Sequence, residues 1–101
     1  MKIFISGPIT GKQDYNRPAF FEAERTLEQM GHAIWNPVKL HPRRPDDFTA
    51  LDYLHICFAM IDRSDMVVQL DGWRHSEGAC LEASYAESKG ITVMEACDLW
   101  R

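Results

Sequence analysis

The sequence predicts an α/β domain built as a doubly wound parallel sheet of four to five strands between two layers of helices, a three-layer sandwich. Two observations predict it. Short apolar runs at 2–6, 33–35, 66–70 and 91–94 alternate with longer segments of helical periodicity. Strands that alternate with helices pair in parallel through right-handed crossovers. The 101 residues suit one such domain, spanning 1–101.

Each element has its own local signal. Lys2 to Ser6 (KIFIS) is bounded by Gly7-Pro8 and reads as a buried strand. Asn16-Arg17-Pro18 opens a helix, with proline in the first turn, where a missing N–H costs nothing. Phe20, Ala23, Leu27 and Met30 form its inner stripe, Glu22, Arg25, Glu28 and Gln29 its outer face, and Gly31 its end. Ala33 to Trp35 is the second strand, closed by Asn36-Pro37.

The run from Val38 to Phe48 is rich in proline and charge and reads as a long loop, of the kind that serves as a lid or a binding loop. Arg43 and Arg44 within it are either a phosphate clamp or a solvated charge pair. Thr49 and Asp52 have the spacing of a capping box, and Leu51, Leu54, Phe58 and Ile61 give the second helix its stripe. Met66 to Leu70 is the third strand. Ser76 opens the third helix and Gly90 closes it. Ile91 to Met94 is the fourth strand, and Glu95 to Arg101 forms a fifth short element or a tail. This order is flavodoxin-like or Rossmann-like, and such sheets bind ligands at the carboxyl ends of the strands, where the winding reverses. The loops Gly7–Gln13 and Asp71–Ser76 are expected to meet there.

Composition narrows the function classes. Apolar content of 46% and charged content of 26% are ordinary for a globular domain. No run of about 18 apolar residues is present, so no membrane span is expected. The net charge of −4, with dispersed basic residues, argues against a nucleic-acid partner. Three cysteines without a CxxC pair argue against a disulfide framework or a zinc knuckle and suit a reducing cytoplasm. The four scattered histidines give no metal-ligand spacing, so no metal site is expected.

Two loops and one helix carry the chemistry. Ser76 is a good N-cap, and the free N–H groups after it, with Gly78 allowing close approach, make an anion site or simply a capped helix start. Glu82 lies beside the stripe of Ala79, Ala83 and Ala86. A glutamate at the edge of an apolar face needs a partner or a task, unless it reaches solvent at the helix margin. Desolvated there, it suits a nucleophile or general base, as in glycosyl transfer. The first loop places Gly7 and Gly11 without the spacing of a dinucleotide fingerprint or a phosphate-binding lysine loop. It either wraps a ligand with backbone donors and Thr10 or is a plain turn. Trp73 either stacks on a base or covers the core. Asp71 suits a sugar hydroxyl, and a turn with Gly72 explains it as well.

The segments KIFISGPITG, GHAIWNP and SDMVVQLDGWRHSEGACLEASYA together resemble the nucleoside 2-deoxyribosyltransferase-like superfamily, most of all its small bacterial and bacteriophage members. The likeness runs from Met1 to about Val93. It implies that Glu82 is the catalytic nucleophile, attacking the anomeric carbon of a deoxynucleoside. Six residues earlier the transferases have aspartate, whereas the related deoxynucleoside 5′-monophosphate N-hydrolases have a serine that contacts phosphate; this chain has Ser76. Ser6, Gly7, Ile9, Thr10 and Gly11 of the first loop are the further substrate contacts expected, together with Asp71, Trp73 and Gly78. The resemblance also implies a homodimer with sites near its interface, and no metal or organic cofactor. Two positions depart from the pattern: Phe4 stands where the family usually has tyrosine, and Cys57 where it tends to have aspartate. Losing that hydroxyl and carboxylate weakens catalysis while leaving binding intact.

The expectation is therefore N-glycosidic bond cleavage or transfer on a nucleoside or nucleotide, in the cytoplasm. A nucleotide-binding protein without turnover is the alternative that Phe4 and Cys57 favour. A structural α/β module, with Glu82 as a mere helix-edge charge, is the third.

Overall fold

A computed structural model describes residues 1–40 and 47–99. Four parallel strands form one sheet in the order β2-β1-β3-β4, with β1 at Lys2–Ser6, β2 at Ala33–Trp35, β3 at Met66–Gln69 and β4 at Thr92–Glu95. The helices are α1 at Arg17–Gln29, α2 at Ala50–Asp62, α3 at Glu77–Ser88 and a short α4 at Ala96–Leu99. The residues after β4 thus begin a helix rather than a fifth strand. Strand alternation divides the core between two faces. Ile3, Ile5, Val68 and Leu70 pack with Phe20, Ala23 and Leu27 of α1 and Ala96 of α4. Phe4 and Val67 pack with Cys57 and Ile61 of α2 and Ala86 of α3. The sheet is doubly wound, as the alternation of elements requires.

The end signals hold. Pro18 lies in the first turn of α1, the capping box of Thr49 and Asp52 closes in both directions, and Gly31 and Gly90 take φ of +93° and +74° just past α1 and α3. Asn16 is left-handed at the α1 start, and its side-chain amide does not cap the helix but donates to the Pro8 carbonyl at 2.9 Å. With Asp14 and Tyr15 it makes three consecutive non-glycine residues of positive φ, at roughly 1–2 kcal/mol each.

Two stripe residues are corrected. Met30, at the C-cap of α1, is 52% exposed and Leu51, in the first turn of α2, is 60% exposed. Each stands at a helix end that overhangs the sheet, so Cys57, deeper on α2, fills the buried place instead. The expected long loop begins as a 3-10 turn, Pro37–Leu40, whose Val38 is buried in the core. Arg43 and Arg44 lie outside the described residues. Among those described, no helix is long and apolar enough to cross a membrane.

The winding reverses between β1 and β3, because β1 leads to α1 on one face and β3 leads to α3 on the other. The two strand ends are clamped together there. Leu70 N–H donates to the Ser6 carbonyl at 2.8 Å, and a Cβ on Gly7 would stand only 3.0 Å from Leu70 Cβ.

Candidate functional site

Ser6 is the last residue of β1, fully buried, on the face covered by α2 and α3. Its hydroxyl donates to Glu82 Oε1 at 2.6 Å. Glu82 reaches it because α3 lays Ala79, Glu82, Ala83 and Ala86 against the sheet. Small neighbours let the helix sit close, and the carboxylate ends 6% exposed. Among the described residues it is the one buried carboxylate.

Cys57 completes the surroundings. Cys57 and Ile61 on α2 occupy the same buried seam as Ala86, one helical turn beyond Glu82 on α3, and the Cys57 thiol hydrogen-bonds Glu82. Burial pushes the Glu82 carboxyl up from 4.5 to about 7, against the opposing pull of the Ser6 and Cys57 hydrogen bonds. Burial, followed by the neighbouring Glu82 charge, pushes the Cys57 thiol far above its ordinary value, so it stays a protonated donor. The outcome is a carboxylate that titrates near neutrality, held by two neutral donors. One turn outward, Phe58 stacks on Tyr85 with ring centroids 4.1 Å apart, and the Tyr85 hydroxyl donates to Asp62 at 2.7 Å. This half-buried clamp keeps α2 on α3, and therefore Cys57 on Glu82.

The remaining residues singled out in the sequence fall into three groups. Ser76 caps α3, its hydroxyl accepting from Ala79 N–H at 3.2 Å. Gly78 in that first turn is exposed, and a Cβ there would meet nothing within 4 Å. Neither packing nor a left-handed backbone requires that glycine, so the fold carries its helix-weakening cost of about 1 kcal/mol without return. Gly7 lies at the clamp between β1 and β3. Thr10 and Gly11 are exposed on the loop crown, while Ile9 turns its side chain into the core on the α1 face.

Asp71 belongs to the other side. It is exposed and lines a cavity of about 540 Å³ with Lys12, Asn16, Ala19 and Ala96, between α1 and α4. The sheet separates this cavity from Glu82. Trp73 is engaged by Glu95, whose Oε1 accepts from Trp73 Nε1 at 3.0 Å and lies 3.4 Å from Arg74 Nη1, with the Arg74 guanidinium 4.9 Å over the indole. The sequence reading missed Glu95 and the direct pairing of Ser6 with Glu82. The second had a signal, because Phe4 and Ser6 alternate onto one face of β1. Glu95, Cys97 and Asp98 also bring possible ligand atoms within 4.8 Å of one another, but the Glu95 carboxylate is already shared by Trp73 and Arg74.

Residues 1–95 match the family model described as Domain of unknown function (DUF4406). No curated protein matches the chain.

Proposed function

We propose that this chain, which belongs to the DUF4406 family, cleaves or transfers the N-glycosidic bond of a (deoxy)nucleoside 5′-monophosphate, with Glu82 as nucleophile. One observation carries the reading. A buried carboxylate, hydrogen-bonded by Ser6 and titrating near neutrality, sits at the carboxyl end of β1 where the winding reverses. The resemblance to the nucleoside 2-deoxyribosyltransferase-like superfamily supports it, through Ser76 and Glu82 at the spacing of the monophosphate hydrolases.

In this reading the ionised Glu82 attacks the anomeric carbon, the C–N bond breaks, and the base leaves with the electron pair and takes a proton. Water, or a second base, then attacks the glycosyl–Glu82 ester and releases the carboxylate. The donors on Glu82 are neutral, so they orient it without cancelling its charge. The phosphate lies at the start of α3, where the N–H groups after Ser76 and the open space over Gly78 favour an anion.

A second reading rests on the absence, among the described residues, of another carboxylate buried beside Glu82 to protonate the leaving base. It makes the chain a nucleotide-binding protein without turnover. Chromatography of base release from a panel of ribo- and deoxynucleoside monophosphates, run beside Glu82→Ala, decides between them. Release lost in Glu82→Ala establishes the enzyme. Binding without release in either form establishes the binder.

A further inference from the structure

Ser6, Gln69 and Glu95 pair in register across β1, β3 and β4, so their side chains form a row along the carboxyl edge of the sheet, on the face of α3. Neighbouring members stand about 4.8 Å apart. The two ends of the row are engaged: Ser6 donates to Glu82, and Glu95 accepts from Trp73 beside Arg74. The middle member differs. Gln69 is 4% exposed, and among the described residues no hydrogen bond reaches its carboxamide. It lines a cavity of about 320 Å³ with Trp73, Arg74, Val93 and Glu95. The carboxamide is not sealed in protein, since among the described residues the one sealed side-chain polar atom without a partner is Asn36 Nδ2; it opens instead onto this cavity, where an incoming ligand can pair with it.

We infer that Gln69 is the specificity-determining residue of the site, reading the edge of a nucleobase that carries an amino group. The inference rests on the glycosidase reading of Glu82. A carboxamide offers donors and an acceptor side by side, which matches the donor–acceptor edge of a heterocycle, as in the bidentate pairing of glutamine with adenine. Its place fits the chemistry, because Gln69 stands one strand from the serine that holds the nucleophile, and a base begins one bond from the carbon under attack. The charges of the cavity choose which end of the nucleotide enters. Among the described residues, Glu87, Glu95 and Asp98 stand in its lining with the Arg74 guanidinium, a balance that disfavours a phosphate and leaves the Gln69 carboxamide oxygen to accept from an exocyclic amine. Adenine and cytosine present such an amine; hypoxanthine and uracil present a carbonyl in its place.

The test titrates AMP, dAMP, CMP and dCMP, and the oxo counterparts IMP, dIMP, UMP and dUMP, into ¹⁵N-labelled protein. It follows the Gln69 side-chain amide, identified by its loss in Gln69→Leu, and the dissociation constants in parallel. Expected are a shift of that amide on saturation and at least about tenfold tighter binding of the amino-bearing partner. Gln69→Leu should erase this preference, and Gln69→Asn, which keeps the amide one methylene shorter, should retain part of it. An amide that does not move on saturation overturns the inference, as does a preference that survives in Gln69→Leu. If the wild type still releases base in a Glu82-dependent way, that failure belongs to Gln69 alone. If no nucleotide binds the wild type, the glycosidase reading falls with it.

Discussion

The hydroxyl of Ser6 donates to the carboxylate of Glu82 across 2.6 Å, inside a seam that water barely enters. The bond favours the ionised form and opposes the burial that raises the Glu82 pKa to about 7. Ser6→Ala removes the donor and little volume. The acid limb of the pH profile of kcat/KM for base release is expected to move upward by about one unit, lowering the rate at pH 7 by about fivefold. An unmoved limb would show that Ser6 does not act on Glu82.

Glu82 itself lowers stability at neutral pH. Unfolded, it ionises near 4.5; folded, near 7. Between these values the native chain holds a proton that the unfolded chain has released, so stability falls as pH rises through the window, by up to about 3 kcal/mol in all. Glu82→Gln removes this term. The variant should match the wild type near pH 4, exceed it by that order at pH 8, and release no base. Urea denaturation at the two pH values reads the first two outcomes, and equal differences at both would contradict the buried titration.

Gly78 separates fold from function. Gly78→Ala meets no atom within 4 Å, and alanine is the better helix former by about 1 kcal/mol. The variant is expected to melt a few degrees higher. If a phosphate passes over that turn, the new methyl raises KM for monophosphates while leaving unphosphorylated nucleosides unaffected. A stabilised variant with unchanged KM for both would remove the phosphate from the α3 start.

Cys57 sits where a second carboxylate would share the seam with Glu82. Cys57→Asp should drive the two acids into coupled titration, one of them held protonated well above neutrality. Its loss of stability should therefore be larger at pH 8 than at pH 5, reaching about 3 kcal/mol or more. Cys57→Ser keeps a donor and should lose far less at either pH. Thermal melts of the two variants at both pH values make the comparison, and a pH-independent loss in Cys57→Asp would place the new carboxylate away from Glu82.

Much of this fold was legible before any coordinate. The apolar runs, Pro18, the Thr49–Asp52 box and the glycines after α1 and α3 each act locally, so the sequence displays them. Met30 and Leu51 misled because periodicity cannot tell how far a helix overhangs its sheet. Glu82 was legible as a carboxylate beside an alanine stripe. What it touches was not, because strand register decides that Ser6 faces α3, and helix packing decides that Cys57 closes the seam. Asp71 and Trp73 sit in the expected loop, yet they diverge to opposite faces of the sheet, which spacing alone does not reveal.

The Ser6–Glu82 bond joins residues 76 positions apart, and this sets an order of events. Local helices can flicker early, and α2 can already cover Phe4, but Ser6 has no carboxylate to bond until α3 has docked on the sheet. Loop closure of that span is costly and comes late. Before then Glu82 is an ordinary surface acid with the acidity of the free side chain. Its shift toward neutrality is thus a built-in marker of completed assembly: a chain with α3 undocked carries a fully charged, uncommitted carboxylate, and only the finished molecule has one poised to exchange a proton near pH 7.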